Sequence, residues 1–158
     1  MTERELHYMQ AAVDLARQGM NHGTGGPFGC IIVKEDTIVG KGCNSVASTN
    51  DPTAHAEVVA IRDACKHLQT FQLTGCEIYT SCEPCPMCMG AIYWARPTKV
   101  YFGATRHDAA AAGFDDSLIY QELTAPLHER IIEIINVGRE KAIIVFDEWV
   151  VKPDRISY

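Results

Sequence analysis

The stretch TSCEPCPMCMGAIYWARPTKVYF, residues 80–102, decides the fold. A short apolar run at Cys76–Thr80 leads into it and predicts a strand, and Met87–Ala95 predicts a helix that ends before a proline. Val100–Gly103 then predicts a second strand. A strand, a helix and a strand in this order indicate an α/β protein whose sheet is partly parallel.

The residues before this stretch extend the same pattern. Apolar side chains at helical spacing predict a helix over Leu6–Ala16, and two short apolar runs, Phe28–Lys34 and Thr37–Gly42, predict a β-hairpin. An apolar stripe predicts a second helix over Ala54–Leu68. We therefore expect a three-layer α/β/α sandwich around a central mixed sheet.

The character of the chain changes after Gly113. Phe114–Glu122 predicts a short helix, Arg130–Val137 is β-like in composition, and Glu140–Val150 carries a helical stripe. At 158 residues the chain fits one domain. We predict a single domain over residues 1–158, in which residues 138–158 form a carboxy-terminal helix and tail.

Composition narrows the classes of partner and compartment. The net charge of −6 argues against a nucleic-acid backbone as the main partner, because phosphate binding needs a basic face. No apolar run approaches the roughly 18–20 residues that span a bilayer. Seven cysteines are an odd number, and no stretch has the form of a secretion signal. We expect reduced thiols and a cytoplasmic protein.

Two short motifs predict a catalytic zinc site. His55-Ala56-Glu57 opens one predicted helix, and Pro84-Cys85-Pro86-Met87-Cys88 opens another. One imidazole and two thiolates occupy three tetrahedral corners and leave the fourth for water, whose pKa zinc lowers. The paired pattern H-x-E…P-C-x-x-C is typical of zinc deaminases of bases, in which the glutamate moves protons without binding the metal.

Two other interpretations of these motifs remain open. Cys82, three residues before Cys85, is a candidate fourth ligand that would close the site and make it structural. Cys85 and Cys88 alone are also the spacing of a redox pair, which would leave His55 and Glu57 without a role. The remaining cysteines fit small buried thiols.

Longer stretches around these motifs resemble a known family. NDPTAHAE, residues 50–57, together with residues 80–102, resembles the cytidine/deoxycytidylate deaminase superfamily, in the branch that holds guanine, guanosine and tRNA adenosine deaminases. RHDAAAAGFDDSLIY, residues 106–120, is similar to guanine deaminases, and the resemblance runs from about Leu15 to Tyr120. It implies a cytidine deaminase-like fold, and a homodimer in which the last segment can cross to the partner.

The resemblance also assigns roles to individual residues. It implies that His55, Cys85 and Cys88 bind zinc and that Glu57 and Asp116 are catalytic. It implies a further set of residues that contact substrate or close the site: Asn44, Phe28, Ala56, Trp94, Asp116 and Tyr158. Simpler roles stay open for several of them, as a turn residue (Asn44), a helix cap (Asp116), core aromatics (Phe28, Trp94) or a disordered terminus (Tyr158).

The expected reaction is hydrolytic deamination of guanine to xanthine and ammonia, by a hydrolase that acts on the C–N bond of a cyclic amidine. Guanine presents N1–H and a 2-amino group as neighbouring donors, and a carboxylate such as Asp116 accepts from both. Asn44 has a donor and an acceptor for the O6 and N7 edge. Guanosine, cytosine or tRNA adenosine stay open as substrates, as does a zinc-stabilised binding module without turnover.

Overall fold

The computed structural model describes residues 1–157, and contacts divide the chain into two compact units, of which the first is Met1–Asp116 and the second begins at Ser117. The elements of the first unit are α1 (Glu3–Asn21), β1 (Gly29–Lys34), β2 (Thr37–Cys43), α2 (Val46–Thr49), α3 (Ala56–Leu68), β3 (Glu77–Cys82), α4 (Pro86–Ala95), β4 (Lys99–Ala104) and α5 (Arg106–Ala111). Those of the second are α6 (Ser117–Thr124), a 3₁₀ turn (Leu127–Glu129) and α7 (Arg139–Val151).

The sheet of the first unit is mixed and has the strand order β2-β1-β3-β4. β1 pairs antiparallel with both β2 and β3, and β4 runs parallel to β3 after the crossover through α4. This confirms the predicted hairpin and the predicted strand, helix and strand around residues 80–102. The parallel pair matters for function because it brings the carboxyl ends of β3 and β4, and with them the starts of α4 and α5, to one edge of the sheet.

Helices cover both faces of this sheet. Ile31 and Tyr79 point to one face, where they pack with Tyr8 and Ala12 of α1. On the opposite face, alternate residues such as Ile32 pack with small and aliphatic side chains of α3 and α4. The period of two along each strand separates the two cores. The predicted three-layer α/β/α sandwich is confirmed.

α3 lies unusually close to β2 because β2 carries glycine where the helix passes. A Cβ atom at Gly42 would lie 2.3 Å from the Ala56 carbonyl oxygen and 2.6 Å from the Ala60 nitrogen. The side of α3 that faces the sheet is correspondingly built from alanine, including Ala60 and Ala64, both fully buried. The start of α3 is thereby held against the sheet by backbone packing.

The β-like stretch Arg130–Val137 is not a strand in the part of the chain that the structure describes, so that prediction is wrong. β-branched side chains favour an extended chain, but a strand also needs a partner for its backbone groups. Here Ile131 donates its backbone N–H to the Glu122 carboxylate at 2.8 Å, and no described strand pairs with the stretch. The side chains of residues 131–137 are all exposed.

The second unit leaves its apolar side chains uncovered. α7 confirms the predicted carboxy-terminal helix, yet each of its residues is exposed, including Phe146 and Trp149. Through residue 157, none of the helices combines the length and hydropathy that a bilayer span requires. The predicted single domain over residues 1–158 stays a prediction.

Candidate metal and active site

Each half of the predicted metal site stands at the start of a helix. His55 is the N-cap of α3 and Cys85 is the N-cap of α4, both with extended backbone, and Pro86 occupies the first turn of α4. Cys88 follows in that first turn, where it is fully buried. A helix amino terminus favours negative charge, so it stabilises the thiolate form that a metal requires.

The three side chains converge with the spacing of a metal site. The sulfur atoms of Cys85 and Cys88 both lie 3.5 Å from Nδ1 of His55. The three ligand atoms lie within 4.8 Å of one another. Tetrahedral zinc, with bonds of about 2.3 Å to sulfur and about 2.0 Å to nitrogen, places sulfur about 3.5 Å from nitrogen. The donor set and its spacing therefore fit zinc.

Cys82 does not join this group. Its thiol instead donates to the Thr105 carbonyl oxygen, with sulfur 3.7 Å from that oxygen. Among residues 1–157 the cluster consists of His55, Cys85 and Cys88. Three protein ligands leave a fourth position open, which is the arrangement of catalytic rather than structural zinc.

The electrostatics of the cluster separate its two thiols. A hydrogen bond with Cys88 and a second with His55 lower the pKa of Cys85 far below its ordinary value. The hydrogen bond with Cys85, and then burial, raise the pKa of Cys88, and the hydrogen bond with Cys85 raises the pKa of His55. The site is thus built to hold negative charge on sulfur beside an imidazole.

Glu57 is a buried carboxyl group beside the cluster. It is 6% exposed, and its two oxygens accept hydrogen bonds from Thr80 Oγ1 at 3.2 Å and from Cys88 Sγ at 3.4 Å. Burial raises the pKa of Glu57, because a low-dielectric surrounding disfavours the charged form. A carboxyl group tuned in this direction can accept and return a proton near neutral pH.

A cavity of about 110 Å³ opens onto this site. Six of the predicted site residues line it: Phe28, Asn44, His55, Glu57, Cys85 and Asp116. Ala56 and Trp94 are not on its wall: Ala56 is fully buried in the core between α3 and the sheet, and Trp94 is 66% exposed on α4. Tyr158 lies outside the described residues.

Asn44 lines this cavity and has its side-chain oxygen already engaged by the backbone. Its side-chain oxygen accepts from the backbone N–H groups of Gly26 and Val46, each at 3.3 Å. Its backbone N–H donates to Phe28, and its carbonyl oxygen accepts from Thr24. The amide nitrogen is the remaining polar atom, so Asn44 offers a donor, whereas the sequence alone left both a donor and an acceptor open.

Asp116 lies in the segment between α5 and α6 and lines the same cavity. Partial burial, and then the negative charge of Cys85, raise the pKa of Asp116 above its usual value. Both effects favour the protonated acid, which can donate as well as accept a hydrogen bond. The cavity therefore has an amide donor and a tuned carboxyl group in addition to the metal cluster.

Four further cavity residues were not identified from the sequence: Glu83, Arg106, Ala109 and Phe114. Glu83 accepts a hydrogen bond from the Arg106 backbone N–H at 3.0 Å, which ties the turn before α4 to the start of α5. Phe114 packs edge-to-face on Phe28. Glu83 lies two residues before the ligand Cys85, and Phe114 lies two residues before Asp116. Their closeness in sequence to predicted site residues is the signal that could have identified them.

Comparison with known proteins assigns the class. Residues 2–104 match the family described as the cytidine and deoxycytidylate deaminase zinc-binding region. The chain belongs to this family of deaminases, and zinc is its cofactor. The predicted cytidine deaminase-like fold is confirmed.

Within the family, the chain is similar to guanine deaminase from Bacillus subtilis. The two are 54% identical over 142 residues, which are 90% of this chain and 91% of the relative. The crystal structure of guanine deaminase from Bacillus subtilis superposes with a TM-score of 0.95 at 50% identity and covers 100% of this chain and 99% of its own. A tRNA-specific adenosine deaminase from Aquifex aeolicus is 45% identical over 62% of this chain and 64% of its own length.

Proposed function

We propose that the chain is a zinc-dependent hydrolase that converts guanine and water to xanthine and ammonia. Its similarity to a guanine deaminase is 54% identity over 90% of the chain, whereas tRNA-specific adenosine deaminases match it at 45% identity over 62% of the chain or at 36% identity over 87% of it. The observation that carries the proposal is one small cavity whose wall holds two ligands of the metal cluster, His55 and Cys85, together with Glu57, Asn44 and Asp116, while the third ligand, Cys88, is buried behind it. A purine base needs each of these contacts.

In this proposal His55, Cys85 and Cys88 hold the zinc. When bound, zinc lowers the pKa of water to near neutrality and supplies the nucleophile. The nearness of the three ligand atoms, within 4.8 Å of one another, and their N₁S₂ chemistry support this assignment.

Glu57 is the proton carrier. It accepts the proton of the water that attacks C2 of guanine and returns it to a ring nitrogen. Burial and the hydrogen bond from Thr80 hold the carboxylate in one orientation and support this role. Collapse of the tetrahedral carbon then breaks the C2–N bond and releases ammonia: Asp116 takes the proton that the C2 hydroxyl loses as the carbonyl forms and gives it to the leaving amine.

Asn44 and Asp116 select the base. The Asn44 amide nitrogen donates to an acceptor on the O6 and N7 edge of guanine, and the Asp116 carboxylate accepts from N1–H and the 2-amino group. Cytosine and adenine present an acceptor at the ring nitrogen beside their amine, so the same carboxylate favours guanine. Tyr158 stays in the proposal as the residue that closes the site, and Ala56 and Trp94 stay proposed as substrate contacts on the resemblance alone, since neither lines this cavity.

The substrate is tested with the purified zinc form and a panel of guanine, guanosine, cytosine and adenosine. Ultraviolet spectra should follow the change from guanine to xanthine, with one ammonia released for each base consumed. Turnover of another panel member in place of guanine would show that the substrate assignment is wrong, while the assignment as a deaminase would stand. Removal of residues 152–158 should reduce guanine turnover if the tail closes the site.

We also propose a homodimer in the cytoplasm in which the second unit packs on a partner chain. The exposed apolar side chains of α7 and of residues 131–137 support it, because a monomer in water rarely leaves so large an apolar surface uncovered. The unpaired β-branched stretch 130–137 is suited to join the edge strand β4 of the partner. The net charge of −6 supports a small-molecule substrate rather than nucleic acid.

A further inference from the structure

An aromatic pair separates the catalytic cavity from a second, larger one in the same unit. The rings of Phe28 and Phe114 meet edge-to-face, with centroids 4.9 Å apart and planes at 86°. Both rings line the catalytic cavity of about 110 Å³ and also the neighbouring cavity of about 350 Å³. Cys82 and Ala109 also line both, so the two cavities share this wall.

The pair is fixed from two sides. Phe28 packs on the core of the sheet, and its backbone N–H donates to the Gly26 carbonyl oxygen at 2.8 Å. Phe114 follows the end of α5, where its backbone N–H donates to the Ala109 carbonyl oxygen at 2.9 Å. Gly113 makes the turn before it with φ of +92°, a conformation that glycine adopts without strain. The wall is therefore anchored by the backbone on both sides.

Gly26 is what lets the two rings meet. A Cβ atom there would lie 3.0 Å from the Phe28 ring and 3.1 Å from the Phe114 ring. The Gly26 N–H also donates to the Asn44 side-chain oxygen at 3.3 Å. Gly26 thus contacts both rings of the pair and also binds Asn44. The aromatic pair is therefore structurally connected to the substrate site.

We propose that the Phe28–Phe114 pair restricts the substrate to a free base, because a substituent on the ring would have to enter the space that the pair closes off from the second cavity. This inference rests on the proposed guanine deaminase activity and adds a specificity determinant to it. The second cavity is large and mostly apolar on its wall, with Arg17 and Asp108 as its charged residues. Opening the wall would give an alkyl or sugar substituent a place to lie.

The test compares guanine with its N9-methyl, N7-methyl and N9-ribosyl derivatives, using the wild type and Phe114→Ala. Phe114 is the better position because it is 44% exposed, so its truncation should leave the fold intact. We expect the ratio of kcat/KM for at least one substituted base to that for guanine to rise about tenfold or more, since pocket size discriminates at this level. Phe114→Leu should give an intermediate ratio.

Two controls make the result specific. Phe71→Ala removes another exposed phenylalanine that lines neither cavity, and it should leave the ratio unchanged. Phe28→Ala removes the other half of the wall and should act in the same direction as Phe114→Ala. An unchanged ratio in Phe114→Ala and Phe28→Ala, with guanine turnover retained, would overturn the inference.

The two proposals fail in different ways. If the wild type does not turn over guanine, the proposed function fails, and the wall is then tested by binding of the same panel to the zinc form by calorimetry. A relative gain in affinity for the substituted bases in Phe114→Ala supports the wall, and no gain in any member overturns it. A gain that instead follows removal of residues 152–158, and not Phe114→Ala, would assign the restriction to the tail.

Discussion

Asn44 illustrates how a single side chain acquires a defined chemical role. Two backbone N–H groups, those of Gly26 and Val46, take up its side-chain oxygen, which fixes the amide plane and leaves the nitrogen as a donor. A fixed donor in a buried site discriminates strongly, because a substrate without the matching acceptor leaves it unpaired. The role of this residue follows from its neighbours more than from its type.

Asn44→Asp tests this role with little change in shape. The new carboxylate keeps an oxygen for the two backbone N–H groups but replaces the donor with an acceptor, so it repels the acceptor edge of guanine. We expect kcat/KM for guanine to fall about 10²-fold or more, with zinc content unchanged. Steady-state kinetics and metal analysis measure both.

Asn21→Asp, at the exposed end of α1, is the matched control and should be close to wild type. Equal kinetics for Asn44→Asp and the wild type would remove Asn44 from the substrate site.

At the scale of elements, two helix starts carry the chemistry. α3 and α4 each begin at a residue of the metal cluster, and the close approach of α3 to β2 places His55 and Glu57 against the end of the sheet. The position of the α3 start therefore depends on glycines in β2, which themselves touch no functional group. The packing of α3 on β2 should therefore affect metal binding.

Gly42→Ala tests that dependence. The added methyl would lie 2.3 Å from the Ala56 carbonyl oxygen, so either β2 or α3 must move. We expect a loss of about 1–3 kcal/mol in the free energy of unfolding and a lower zinc content after dialysis. Denaturation with urea and metal analysis report the two effects.

Gly90→Ala is the control for this change. Among residues 1–157, no atom lies within 4 Å of a Cβ atom at Gly90, which is an exposed residue inside α4. Alanine there should raise stability by up to about 1 kcal/mol, because it lowers the entropy cost of helix formation. A Gly42→Ala protein as stable and as metal-rich as Gly90→Ala would show that the contact is not needed.

The sequence predicted the elements whose signals are local. The four strands, the helices at α1, α3, α4 and α7, and the convergence of His55, Cys85 and Cys88 all follow from periodicity and from short motifs. Prediction from the sequence failed for features that depend on tertiary contacts. Arg130–Val137 has strand composition but no partner in the described chain, and Phe114 belongs to the cavity because α5 turns back beside Phe28.

At the scale of the whole molecule, burial is distributed unevenly. The first unit has two buried apolar cores, whereas α7 exposes all of its apolar side chains, among them Phe146 and Trp149. A helix whose apolar stripe faces water is stabilised when another surface covers that stripe. A second copy of the chain supplies that surface in the proposed dimer.

Phe146→Ser tests the dimer, with Asp147→Ser as the control on the same exposed helix. Loss of the aromatic ring should weaken association at least tenfold, because large aromatic side chains dominate interface energies. Asp147→Ser should stay close to wild type. Sedimentation equilibrium measures both, and a wild type that sediments as a monomer would contradict the dimer.

Conversion of guanine by the zinc-loaded wild type and by Glu57→Gln tests the central claim most directly. Glutamine keeps the shape and an oxygen for the Thr80 hydrogen bond but cannot carry the proton. We predict equal zinc content and equal thermal stability, with one xanthine and one ammonia per guanine in the wild type and a loss of about 10²–10⁴-fold in kcat in the variant. Undiminished turnover by Glu57→Gln, or a zinc-loaded wild type that deaminates no base, would contradict the account.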